Sequence, residues 1–131
     1  MENLAIEVEV QGHLEEVVQK VTAALAPAGF GILTRIDFDK KILEKTGEKI
    51  VPVTILGACN PYLAVRAYRQ NSDTALLIPC NIALTQIQDA RFRVEAIRPM
   101  KMLEMLPGME SDGWVRKAEA ELERCLKMIG I

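Results

Sequence analysis

The residues of this chain best suited to chemistry are two cysteines, each followed by asparagine: Cys59 in "ILGACNPYLAVRA" (55–67) and Cys80 in "LLIPCNI" (76–82). Asn60 and Pro61 form an N-cap and first-turn pair, so a helix is expected to start immediately after Cys59. A thiol at such a corner lies near free backbone N–H groups and the positive end of the helix dipole, which lower its pKa and make it a nucleophile. The same N–H groups can hold a carboxylate or phosphate, and Gly57 and Ala58 leave room for close approach. The competing reading is packing alone, because free cysteine is among the most buried residue types and behaves as a small hydrophobe. Cys80 follows Pro79, read here as the end of a strand, and precedes Asn81. If the two strands are parallel neighbours, both corners fall at one end of the sheet, beyond the carboxyl ends of the strands, where ligands gather.

Two thiols at one corner can form a transient disulfide, which needs Cα atoms within about 7 Å, or line a pocket. A structural zinc site needs four ligands, often with paired cysteine spacing, and neither that spacing nor a fitting histidine is present, so no metal is expected. His13, the single histidine, falls at the expected start of the first helix, as an N-cap or a solvated residue; a general base would need a positioned partner. Cys125 lies on the apolar face of the last helix and reads as core. Tyr62, Arg66, Tyr68 and Arg69 fall on the helix after Cys59 and read as its solvated face. Asp37 and Asp39 read as helix caps, and the methionine-rich "RPMKMLEMLPGM" (98–109) as core filling or a pliable partner surface.

The elements that must carry these residues follow from periodicity. "LAIEVEV" (4–10) alternates apolar and acidic positions, the signature of a half-buried strand. Leu14, Val17, Val18, Val21 and Leu25 then repeat at helical spacing, with Gly29 as a C-terminal cap. "FGILTRIDF" reads as a strand, "DKKILEKTG" as a short helix stopped by Gly47, and "KIVPVTILGA" as a strand with Pro52 at its start or on an edge. Tyr62–Gln70 should be helical and "DTALLIP" a buried strand. "NIALTQI" and "RFRVEAI" form a hairpin turning near Gln88–Ala90. Ser111 caps a last helix whose apolar face holds Val115, Ala118, Leu122, Cys125, Leu126 and Ile129. The order predicts an α+β fold, a mixed or mainly antiparallel sheet with helices packed on one face, in a single domain over 1–131.

Composition narrows the function classes. A net charge of -2 and 5% aromatic residues supply neither the electrostatic footprint nor the stacking platform of a nucleic-acid binder. No run reaches the roughly 18 apolar residues of a membrane helix. "MENLAIEVEV" carries acids where a secretion signal has a basic start. Three cysteines cannot all pair within one chain, and reduced thiols point to the cytoplasm.

Taken in order, "GFGILTRIDF", "ILGACNP", "LLIPCNI" and "VEAIRPMKML" resemble the domain of unknown function 302 family over nearly the whole chain. Arg98 stands before Pro99 where the resemblance leads one to expect an acid. The resemblance implies a compact α+β domain with no assigned reaction that associates as a homodimer, through an exposed strand edge or the methionine-rich segment. The expected function is a cytoplasmic, homodimeric small-ligand-binding domain rather than an enzyme. Its expected site is Gly57, Ala58, Cys59, Asn60 and Pro61 with Cys80 and Asn81, its ligand a small anion, and no particular cofactor is indicated. Two alternatives stay open: a thiol-dependent redox enzyme using Cys59 and Cys80, and a structural or protein-interaction module with no small-molecule site.

Overall fold

A computed structural model of the chain describes residues 3–109 and 113–131. Five strands form one antiparallel sheet in the order β1-β5-β4-β3-β2: β1 Ala5–Gln11, β2 Gly31–Asp37, β3 Val53–Cys59, β4 Cys80–Gln88 and β5 Arg91–Ile97. Helices α1 (Leu14–Leu25), α2 (Phe38–Thr46), α3 (Pro61–Gln70), α4 (Pro99–Leu103) and α5 (Trp114–Lys127) are interleaved with them. The α+β expectation holds, and the sheet is wholly antiparallel.

The alternation of β1 places Ile6, Val8 and Val10 on the core face and leaves Glu7 and Glu9 exposed. Phe92, Val94 and Ala96 of β5, Ile82 and Leu84 of β4, and Leu56 and Ala58 of β3 extend that face across the sheet. Val17, Val21 and Leu25 of α1 and Leu122 and Leu126 of α5 cover it, completing one contiguous core. Burying a side chain of this size contributes about 1.5–3 kcal/mol relative to leaving it exposed. Two layers, with one sheet face buried under helices, follow from these two periodicities.

Caps form where the sequence asks for them. Gly29 (φ 85°) closes the 3-10 turn Ala26–Ala28 that extends α1, and Gly47 (φ 75°) closes α2. The hairpin β4–β5 turns through Asp89 and Ala90, the latter at φ 52°, next to a register shift between Gln86 and Gln88. His13 occupies the N-cap position of α1, exposed, its backbone N–H donating to Glu16 Oε1 at 3.0 Å. The expected cap at Ser111 lies outside the described residues.

Two readings need correction. "DTALLIP" is not a strand: Ser72–Leu76 is a 3-10 turn followed by a cis Ile78–Pro79 bond, and β4 begins only at Cys80. Asn71 drives the difference, since its Oδ1 accepts from Asp73 N–H at 2.9 Å and its carbonyl from the Thr74 hydroxyl at 2.7 Å, a local turn that competes with strand pairing. Asp37 and Asp39 also do not cap α2 with their side chains. Asp37 Oδ1, at the end of β2, accepts from the Thr54 hydroxyl at 3.1 Å, and Asp39 Oδ1 accepts from Val53 N–H at 3.0 Å, so the first joins β2 to β3 and the second joins α2 to β3.

Candidate functional site

The cysteine corner is built by β3, α3 and the start of β4. Asn60 caps α3 as its sequence context demands, its Oδ1 accepting from Tyr62 N–H at 3.2 Å and Leu63 N–H at 3.3 Å. Its Nδ2 reaches the Ala28 carbonyl at 3.4 Å, joining α3 to the turn after α1. That turn needs glycine twice over: Gly29 has positive φ, and a Cβ there would lie 2.8 Å from Asn60 Nδ2. The next amide in the first turn, Ala64 N–H, bonds the Asn60 carbonyl at 2.9 Å, and Pro61 has no N–H. The first-turn donors are therefore occupied by the protein itself.

Gly57 serves packing. A Cβ at this position would fall 2.1 Å from Thr34 Oγ1 and 2.5 Å from Pro79 Cγ, so only glycine lets β2 and the cis-proline segment close on β3. Pro61 and Asn81 are exposed.

Cys80 and Cys59 share one end of the sheet for a reason opposite to the one expected. Their strands are antiparallel neighbours, and Cys80 opens β4 where Cys59 closes β3. Cys80 is paired with Ala58, and Cys59 with Gly31, so the two thiols are one residue out of register. They are therefore not directly opposed across the ladder, although both border the same space at the sheet end, and both are free thiols. Burial pushes the Cys59 thiol up rather than down. Burial, with a smaller contribution from Cys59, pushes Cys80 to about 11. The Cys80 thiol rests against the Met102 thioether at 3.4 Å. In both cases burial is the leading cause, and it disfavours the thiolate. Cys125 is buried, as its place on α5 predicts.

Ala58, Cys59, Asn60 and Cys80 border a cavity of about 90 Å³ between the sheet end and three helices. Leu63, Ala64 and Ala67 of α3 form one wall, and Met102 and Leu103 of α4 another. Leu77 and Ile78, from the misread apolar run, contribute a third, and Trp114 and Val115 at the start of α5 close it. Among the described residues, its polar lining side chains apart from the thiols are Asn60 and Thr74, which are hydrogen-bonded locally, and the Trp114 indole, and no charged side chain lines it. Trp114 is the residue sequence reasoning passed over. Its signal was there, as the chain's single tryptophan beginning an amphipathic helix directly after a glycine. The Arg66 guanidinium lies 4.9 Å from the centre of its ring.

Arg98 fixes the α4 wall. Its Nη1 is 3.2 Å from both Glu119 Oε2 and Glu123 Oε1 on α5, while Glu119 Oε1 accepts from Met100 N–H at 2.9 Å. These carboxylates raise the Arg98 pKa against the opposing effect of burial. The basic residue found in place of an expected acid is thus the anchor between two pocket helices. Among the described residues, no group of three or more histidine, cysteine, aspartate or glutamate side chains is placed to hold a metal ion.

An antiparallel five-stranded α+β layer with an apolar cavity at one sheet end defines the class of protein this is. The chain belongs to the family described as domain of unknown function DUF302, whose model matches residues 6–129. Among solved structures it is similar to the crystal structure of an uncharacterized conserved DUF302 protein from Bacillus stearothermophilus. The TM-score is 0.80 at 24% identity, covering 98% of this chain and 99% of that one, a likeness of fold. No curated protein matches it.

Proposed function

We propose that this chain is one ligand-binding domain over residues 1–131, cytoplasmic and homodimeric, that takes a small, mainly apolar molecule at the α3–α4–α5 end of its sheet. The observation that carries this reading is the cavity of about 90 Å³ with its almost wholly apolar lining. Small-molecule sites combine such walls with a few placed polar groups. The occupied first-turn donors of α3 speak against an inorganic anion held on backbone N–H groups. The raised thiol pKa values speak against thiol catalysis, and binding is therefore favoured over a reaction. With Met102 and Met109 turned to the cavity, the homodimer is assigned instead to the outer edge of β2, where Leu33 and Ile36 are exposed.

Titration with toluene tests the pocket, because Trp114 is the single tryptophan and lines the cavity. Saturable change in its emission is the expected result, abolished by Ala67→Leu, which fills the α3 wall. Absence of saturation in the folded wild-type protein overturns the reading.

A further inference from the structure

Two hydrogen-bond donors meet at the Trp114 ring, which is one wall of the cavity: its own indole N–H and the Arg66 guanidinium, which lies over the ring without itself lining the cavity. Trp114 Nε1–H is sealed from solvent and has no partner among the described residues. An unpaired buried donor costs about 1–3 kcal/mol, and an orphan of this kind calls for an explanation such as an absent ligand. Over the same ring lies the exposed Arg66 guanidinium, for which the described residues provide no carboxylate within ion-pair distance. One donor is buried in apolar surroundings and the other is a charge at the surface. The remaining walls at Leu63, Ala67, Met102 and Leu103 offer only apolar contact.

We infer that the ligand is a small apolar acid, its hydrocarbon part in the cavity and its carboxylate at the Trp114 wall, accepting from the indole N–H and facing the Arg66 guanidinium. The inference rests on the ligand-binding reading above and adds the chemical class. A carboxylate fits because one oxygen can accept from the indole while the other stays at the surface with Arg66, so the charge is not carried into the apolar interior, where it would be costly. Hydrogen bonds with one ionised partner are roughly twice as strong as neutral ones. Because the N–H is sealed, binding must displace a neighbouring side chain, and the unbranched Met102 and Met109 of the lining make this end of the cavity adaptable.

The test uses hexanoate and toluene as probes on the full chain labelled with ¹⁵N, whose one tryptophan gives one indole N–H resonance. Both probes are expected to bind, but only hexanoate should move the indole proton downfield. Arg66→Gln should weaken hexanoate about tenfold, the scale of one lost hydrogen bond to a charged group, and leave toluene nearly unchanged, while Trp114→Phe should weaken hexanoate more than it weakens toluene. Arg66 is exposed, so its variant tests the charge even if Trp114→Phe fails to fold. Toluene binding with hexanoate excluded, or hexanoate bound with a static indole resonance and no response to Arg66→Gln, overturns the acid and leaves the pocket standing. Binding of neither probe overturns both.

Discussion

Asn60 shows how a motif that reads as chemistry can be architecture. Its amide caps two backbone donors of α3 and reaches across to Ala28, so replacement by alanine removes three hydrogen bonds at once. Loss of an N-cap alone costs about 0.5–2 kcal/mol, and Asn60→Ala is expected to lower stability by about 2 kcal/mol in urea unfolding. Asp in its place should restore part of this, because a carboxylate keeps the cap and loses the donor to Ala28. For Cys59 the sequence leaves a reactive and a packing reading open. The sequence shows a helix start, which favours the thiolate, but not the walls that remove water from the sulphur. Alkylation by iodoacetamide, followed by mass spectrometry across pH, is therefore expected to be slow for Cys59 near neutrality and to rise at alkaline pH. Cys80 should respond only toward its value of about 11, and Cys125 should stay protected until unfolding. Rapid modification of Cys59 at neutral pH would restore the thiol-enzyme alternative.

Among the elements, those with a strong period were legible and those built by local hydrogen bonds were not. β1, α1, β5 and the face of α5 each follow from alternation or helical spacing, and Asn60-Pro61 marks the start of α3 to the residue. "LLIP" is apolar without being a strand, because Leu77 and Ile78 face a cavity while Leu76 is 81% exposed; a short apolar run cannot declare what buries it. Strand direction was equally hidden. Both cysteines reach the same sheet end, but through an antiparallel turn of the chain between β3 and β4. The α4–α5 contact was invisible because it depends on Arg98 and Glu119, which are 21 residues apart. With side chains only 15% and 16% exposed, this pair is more than a surface bridge, and removing one partner leaves the other charge partly buried. Glu119→Ala deletes one of the two carboxylate acceptors of Arg98 and the acceptor of Met100 N–H. The expected outcome is faster hydrogen exchange across α4, a loss of about 1–3 kcal/mol, and weaker toluene binding as Met102 and Leu103 lose their support. Unchanged exchange across α4 would show that its packing, and not this anchor, holds the wall.

At the scale of the whole molecule, the two outer strands of the sheet are treated differently. β1 is partly covered by the end of the chain: Ile131 N–H donates to the Glu9 carbonyl at 2.8 Å and Lys127 Nζ to the Glu7 carbonyl at 3.1 Å. β2 has β3 on one side, and its other edge carries no strand among the described residues. Leu33 there is 63% exposed and Ile36 46%. An open edge with apolar side chains is a template for another strand, and proteins that need to stay monomeric blunt it with lysine, proline or a bulge. β2 has a bulge between Ile32 and Thr34 but neither lysine nor proline. Pairing of β2 with its symmetry mate would be isologous, each copy presenting the same surface. It would leave the cavity at the sheet end formed by each copy on its own. Leu33→Lys places a charge on this edge without touching the core, so the folded chain should survive it. Sedimentation velocity is expected to show a dimer for the wild-type protein and a monomer for Leu33→Lys, with toluene binding intact in both. A wild-type monomer at every concentration would remove the dimer from the proposed function, and a Leu33→Lys dimer would move the interface away from β2.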